Sequence, residues 1–197
     1  MTCHKSGKGG FTLIELLVTV AVVAILSLIA APSFSNVMRR HQVSSVANQL
    51  LADLTNARAE AATRGKYVSI CASEDGISCS ESEDYASGWI VYAYPTGAAG
   101  ANQTYDSTRT DIYAMLRTTS AQKGVAITAT DAVPLTYGQQ GQVKRDLEKS
   151  PFGLIVCSRP SELGAAESSA AVPGINVGLI GSGGVVLKTL VPSASCS

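Results

Sequence analysis

The residues able to do chemistry in this chain fall into three groups. They are a glycine–aromatic peptide bond at Gly10-Phe11, one carboxylate (Glu15) inside an apolar run, and five cysteines. Gly10 has no side chain, so a peptidase can bring the backbone beside it close to its own catalytic groups. The bond separates a leader that carries Lys5 and Lys8 and no acid from a run, Phe11 to Ala31, whose only charge is Glu15. An ionisable group in such a run costs on the order of 2–3 kcal/mol at mid-membrane, less near an end. It can snorkel to an interface, or it can pair with a cation. If cleavage frees the amine of Phe11, a neighbouring copy can place that amine beside Glu15. In a low dielectric the pair selects stagger between subunits as well as attracting them.

These residues need an element to hold them. At 1.5 Å per residue, a helix from Phe11 to Ala31 spans roughly 30 Å, the thickness of a bilayer core. A secretory signal peptide would carry its small-residue cleavage site after the apolar run and lose the run on processing. Here Gly9 and Gly10 precede it, so cleavage after Gly10 keeps the helix in the mature protein. The basic leader favours a cytoplasmic N-terminus. Arg39 and Arg40 weaken that signal without reversing it.

The sequence Gly10-Phe11-Thr12-Leu13-Ile14-Glu15-Leu16 resembles the class III leader site of type IV pilins and type II secretion pseudopilins. The resemblance implies a prepilin peptidase cut between Gly10 and Phe11, N-methylation of Phe11, and Glu15 as the assembly glutamate. Pro32 falls where such proteins often carry a helix-loosening proline.

Beyond Pro32 the apolar pattern turns periodic. Val43, Val46, Leu50, Leu54, Ala57 and Ala61 recur at steps of three and four, one face of an amphipathic helix. Arg39, Arg40, Asp53, Arg58, Glu60 and Arg64 are expected on its other faces. Gly65 is a natural C-cap. One helix is therefore expected from near Phe11 to Arg64. Strands are expected at Lys66–Ser73, Gly88–Tyr94, Val125–Thr130, Gly153–Cys157, Ile175–Ile180 and Val185–Leu190. Polar and small-residue stretches separate them, among them Pro95 to Gln103 and Gly164 to Gly174. The fold class is α+β, with a mainly antiparallel sheet on the helix. The division expected is a leader (1–10), a transmembrane or filament-core segment (11–31), and an amphipathic helix with a globular head (32–197).

The other cysteines fit an exported head. Cys3 leaves with the leader, and Cys71, Cys79, Cys157 and Cys196 form an even set, as expected in an oxidising periplasm. Three pairings are open. Cys71–Cys79 with Cys157–Cys196 is favoured, because the first closes a short loop and the second ties down the C-terminus. A zinc site is the rival. The Cys71–Cys79 spacing is too wide for a zinc knuckle and no histidine follows, so no metal is expected.

Part of the chain also resembles the GspH/FimT branch of the superfamily. The residues are Ala57-Arg58-Ala59-Glu60-Ala61, then Cys71, Cys79 and Gly88-Trp89-Ile90-Val91-Tyr92, with a C-terminal pair such as Cys157 and Cys196. This implies a scarce subunit at or near a filament tip. The cysteine arrangement favours a FimT/FimU-like minor pilin over a type II secretion pseudopilin. Some FimT-like proteins bind DNA through a Gly-Arg-x-Arg stretch. The corresponding Gly181 to Lys188 has no arginine, and phosphate contacts supply most non-specific affinity.

The 197 residues carry 15 basic and 15 acidic side chains. Without Lys5 and Lys8 the mature chain is near −2, no broad footprint for nucleic acid. Arg109, Arg117, Lys144 and Arg145 are the residues from which the fold could assemble a basic patch. Gly178-x-x-Gly181-x-Gly183-Gly184 lacks the Gly-Lys-Ser/Thr ending of a phosphate loop and reads as a turn between strands. His41 sits on the helix, and Glu81, Glu83 and Asp84 lie in a polar loop and read as solvated. No set supplies a nucleophile, a base and an oxyanion site, so the expectation is a non-enzyme with no cofactor. The expected location is the bacterial inner membrane, single-pass with a periplasmic head, and later a filament. Expected partners are prepilin peptidase, other major and minor pilins or pseudopilins, the inner-membrane assembly platform and membrane lipid. DNA is a partner only under the alternative of a DNA-binding pilin for natural transformation.

Overall fold

The computed structural model describes residues 11–97, 100–145, 152–161, 164–180 and 182–196, without the side chains of residues 28–33. Helix α1 runs from Leu13 to Arg64. It stops at Gly65, whose φ of +62° is the left-handed conformation that glycine adopts without steric cost at a helix end. Two compact units divide at Met38/Arg39. The first is the apolar start of α1. The second, the head, contains the rest of α1 and the nine strands found among the described residues.

The strands make two antiparallel sheets. β1 (Tyr67–Ala72), β2 (Gly88–Tyr94), β3 (Ala114–Ser120), β5 (Leu135–Tyr137) and β6 (Val143–Lys144) form the first, in the order β3-β2-β1-β5-β6. β4 (Val125–Ala129), β7 (Gly153–Ser158), β8 (Ile175–Leu179) and β9 (Val185–Thr189) form the second, in the order β4-β7-β8-β9. Six strands fall within a residue or two of expectation. β3, β5 and β6 were not anticipated. β3 is an edge strand with most side chains exposed, so its Ala-Met-Leu-Arg-Thr-Thr-Ser shows no alternation, and a bulge at Val91/Tyr92 shifts its register. β5 and β6 are too short to show a period.

The head is built around one apolar cluster. Val43, Val46, Leu50, Leu54, Ala57 and Ala61 are all buried in it, with Ala47. They meet Val68, Ile70, Trp89, Val91, Leu135 and Tyr137 of the first sheet and Val125, Ile127, Leu154, Val156, Val177 and Leu179 of the second. A smaller cluster covers the other face of the first sheet, where Cys71, Ile90, Tyr92 and Tyr94 pack with Tyr67, Tyr105, Ile112 and Tyr113. The Tyr92 and Tyr105 rings lie 5.2 Å apart. The Tyr92 hydroxyl donates to the Gln103 carbonyl at 2.6 Å, and burial pushes that phenol well above the ordinary tyrosine range. The end of the Pro95–Gln103 stretch, read as a spacer, is thus pinned to the sheet. A strand whose two faces are both covered reads as a continuous apolar run, as β2 does.

Of the charged residues expected on the other faces of the helix, Asp53 is instead buried and Arg58, half-buried, reaches across to the sheets. Asp53 is 1% exposed. It accepts from the Trp89 indole N–H at 2.8 Å and the Thr119 hydroxyl at 3.4 Å, and pairs with Arg117 at 2.8 Å. It lies three residues after Leu50 on the apolar stripe, so the helical period carries it inward with its neighbours. Arg58 donates to the carbonyls of Gly141 at 2.9 Å and Ser182 at 3.0 Å. It therefore ties the helix to the β5–β6 turn of one sheet and the β8–β9 turn of the other. Those turns touch at Gly183, φ +83°, where a Cβ would stand 2.1 Å from the Gly141 oxygen.

Candidate assembly site

Helix α1 opens with a cap. The Thr12 hydroxyl oxygen accepts from the Glu15 backbone N–H at 3.3 Å, and the Thr12 carbonyl accepts from Leu16 N–H at 3.2 Å. Thr12-x-x-Glu15 has the spacing of a capping box. The carboxylate of Glu15 also stands in the first turn, where the helix dipole favours negative charge. One residue thus serves two ends: it helps start the helix, and it carries the only charge of the segment.

Every described side chain from Phe11 to Ser27 is exposed, Phe11 at 83%. A helix that is apolar on all sides has no preferred face and must be surrounded. Its hydroxyls do not disturb this surface. Thr19 donates to the Leu16 carbonyl and Ser27 to the Val23 carbonyl, both at 2.8 Å. Such internal satisfaction is what an apolar surrounding demands. Among the described residues no cation lies within ion-pair distance of Glu15. Gly10 and the rest of the leader lie outside the described residues, as do the side chains at the end of the expected 11–31 segment. Among the described residues no helix is long and apolar enough to cross a membrane.

The head carries two disulfides, Cys71–Cys79 with Cα atoms 5.6 Å apart and Cys157–Cys196 at 6.0 Å. The first closes a turn organised by Asp75. Its carboxylate accepts from the Ser78 hydroxyl at 2.6 Å and from the Ile77 and Ser78 backbone N–H groups at 2.8 Å each. These bonds, that from the Ser78 hydroxyl foremost, hold the Asp75 carboxyl down at about 2. The second holds the C-terminus beside β4, where the Thr128 hydroxyl donates to the Cys196 carbonyl at 3.2 Å.

The four residues singled out for a basic patch do not act together. Arg117 is taken by Asp53. Arg145 pairs with Asp131, is 7% exposed at its side chain, and lies 5.0 Å over the Phe152 ring. Lys144 sits in β6 opposite Thr136, and Arg109 is exposed on the loop before β3. Lys188 faces Asn176 across β8–β9. Gly183 and Gly184 form the turn between these strands, closed by the Ile180 N–H to the Gly184 carbonyl at 2.9 Å. Gly181 lies outside the described residues. Glu81, Glu83 and Asp84 are exposed.

Comparison with known proteins extends these observations. The family model "Type II transport protein GspH" matches residues 46–172, and that of the "Prokaryotic N-terminal methylation motif" matches residues 5–31. The type IV major fimbrial protein FimA of Dichelobacter nodosus is 49% identical over 45 residues, 23% of this chain. The chain thus spans only 29% of the length of that relative. The type IV minor pilin FimU of Pseudomonas aeruginosa superposes with a TM-score of 0.52 at 19% identity, over 78% of this chain and 96% of FimU. The minor pseudopilin EpsH from the type II secretion system of Vibrio cholerae gives 0.41 at 14% identity, over 76% and 97%. With a helix packed on two antiparallel sheets and a family model that covers most of the head, the chain belongs to the GspH family of type II transport proteins and carries the prokaryotic N-terminal methylation motif at its start.

Proposed function

We propose that this chain is a minor pilin of a type IV pilus and not an enzyme. It inserts in the inner membrane with the head in the periplasm. Prepilin peptidase cuts it between Gly10 and Phe11, Phe11 is N-methylated, and the inner-membrane assembly platform places it among other pilins at or near the filament tip. The observation that carries this reading is the segment from Phe11 to Ser27: apolar on every side, its hydroxyls satisfied internally, with Glu15 as its only charge at a capped end. Before assembly its surrounding is lipid, and afterwards it is the same segment of neighbouring subunits. In that core the amine of a neighbour's Phe11 is the partner of Glu15.

Mass spectrometry of the chain from its native membrane tests the processing. The expected species begins at N-methylated Phe11, and Gly10→Val leaves the full-length precursor. A mature chain that still begins at Met1 defeats the reading. Glu15→Ala should insert normally, since it removes a charge from an apolar run, and should enter filaments poorly in a pull-down.

A second reading, minor pseudopilin of type II secretion, is favoured by the matched family model. Loss of twitching on deletion supports the first reading, and loss of secretion the second. DNA uptake has less support, because Arg117 and Arg145 are each engaged by a carboxylate.

A further inference from the structure

We propose that the end of the head where the chain enters it binds the phosphate headgroups of anionic lipid, resting on the membrane-inserted precursor described above. Arg39 is the first residue of the head. Around this entry point three other segments are fastened to the helix or to one another. The Arg40 guanidinium donates twice to the Ala171 carbonyl, at 2.7 and 3.2 Å. The Gln42 amide donates to the Lys123 carbonyl. Arg159 N–H donates to the Gly124 carbonyl at 3.0 Å. Arg39 stands three residues before Gln42, on the same face of the helix. Arg39, Arg40, Lys123 and Arg159 therefore gather at one end of the head.

A cavity of about 440 Å³ opens there, lined by Lys123 and Arg159 together with Ser87, Gln122 and Ser161. Among the described residues none of the four cations has a carboxylate within ion-pair distance, whereas Arg64, Arg117 and Arg145 each have one. The acid lining the cavity is Asp84, which accepts the Ala86 N–H at 2.8 Å. Glu162 lies outside the described residues. Guanidinium, ammonium, hydroxyl and amide donors around one opening suit the oxygens of a phosphodiester, and the volume is that of a small-ligand site.

Position in the chain selects lipid over free phosphate. Arg39 lies eight steps along the chain beyond Ala31, the end of the apolar run. Even fully extended those steps reach at most about 28 Å, and as helix about 12 Å. An anionic surface attracts basic side chains within about a Debye length, each worth roughly fivefold in affinity. Four at the entry point would hold this end of the head against the headgroups until the subunit is extracted.

The test reconstitutes the full chain in nanodiscs of phosphatidylcholine alone or with phosphatidylglycerol, and reads acylation of Lys123 by mass spectrometry. Lys66, beyond the other end of the helix, is the internal reference. Anionic lipid should slow labelling of Lys123 about fivefold, the share of one basic contact, and leave Lys66 unchanged. High salt should abolish the protection, and so should a double Arg39→Gln, Arg159→Gln variant. Equal labelling of Lys123 in both lipids overturns the proposal. So does equal protection by inorganic phosphate in neutral discs, which would assign the site to a free anion. A chain that does not enter the discs at all sinks the membrane reading itself, and the proposal with it.

Discussion

Replacing the two members of the Asp53–Arg117 pair should have unequal effects. The acid is 1% exposed, while the Arg117 side chain is 52% exposed. Arg117→Ala leaves a buried carboxylate with only the Trp89 indole at 2.8 Å and the Thr119 hydroxyl at 3.4 Å. Breaking a fully buried ion pair from one side costs about 3–5 kcal/mol. Discounted for the exposure of the arginine and for the two surviving hydrogen bonds, roughly 2–3 kcal/mol remains. Asp53→Asn works the other way. The amide oxygen still accepts from Trp89, and the freed guanidinium is close enough to the surface to rehydrate. The expected cost is about 1 kcal/mol, that of one hydrogen bond. The assay is urea unfolding followed by the fluorescence of Trp89, the chain's one tryptophan, which bonds directly to the carboxylate. With a slope of about 1–3 kcal/mol/M, Arg117→Ala should lower the midpoint by roughly 1 M or more and Asp53→Asn by clearly less. If Asp53→Asn costs as much as Arg117→Ala, the asymmetry of burial is not what governs this pair and the reasoning fails.

The longer disulfide should matter more. Chain entropy gives about 4 kcal/mol for the Cys157–Cys196 loop against about 2.5 for Cys71–Cys79, so paired serine variants of the former should unfold at lower urea; non-reducing peptide mapping that joins Cys71 to Cys157 would refute the pairing itself. Asp75 should titrate at about 2 by NMR. Because its folded value lies below the ordinary 3.8, the order it lends the Ser73–Ser80 turn is present above that value and lost as pH falls from about 4 toward 2. Asp75→Asn should flatten that dependence. The Lys188 stretch should add little to duplex DNA binding: Lys188→Gln should change the salt slope of an anisotropy titration by about one, the single counterion that one phosphate contact releases. A slope that falls by several on Lys188→Gln would show that the β8–β9 turn carries a basic patch after all.

The sequence by itself determined the elements whose signal is local. The N-terminal methylation motif and the solid apolar run are read from residue type and order, because neither a short motif nor a segment apolar on all sides needs a tertiary partner to be recognised. The Val43–Ala61 stripe and the Gly65 stop follow from the helical period and from glycine's freedom at positive φ. Six of the strands follow from their apolar, β-branched and aromatic runs, whereas the seven-residue edge strand β3 does not. Thr12 was legible too, as a capping residue three before Glu15. Only the tertiary structure decided the rest. That β1 lies between β2 and β5, and that β7 and β8 belong to a second sheet, depends on pairings between distant segments. Whether Asp53 and Arg117 meet, whether Arg145 is a surface cation or a buried one over Phe152, and whether Arg58 reaches two turns depend on what folds above each of them. A charged side chain looks the same in a sequence whether water or a carboxylate faces it; burial is a property of the neighbours, and long-range packing supplies them.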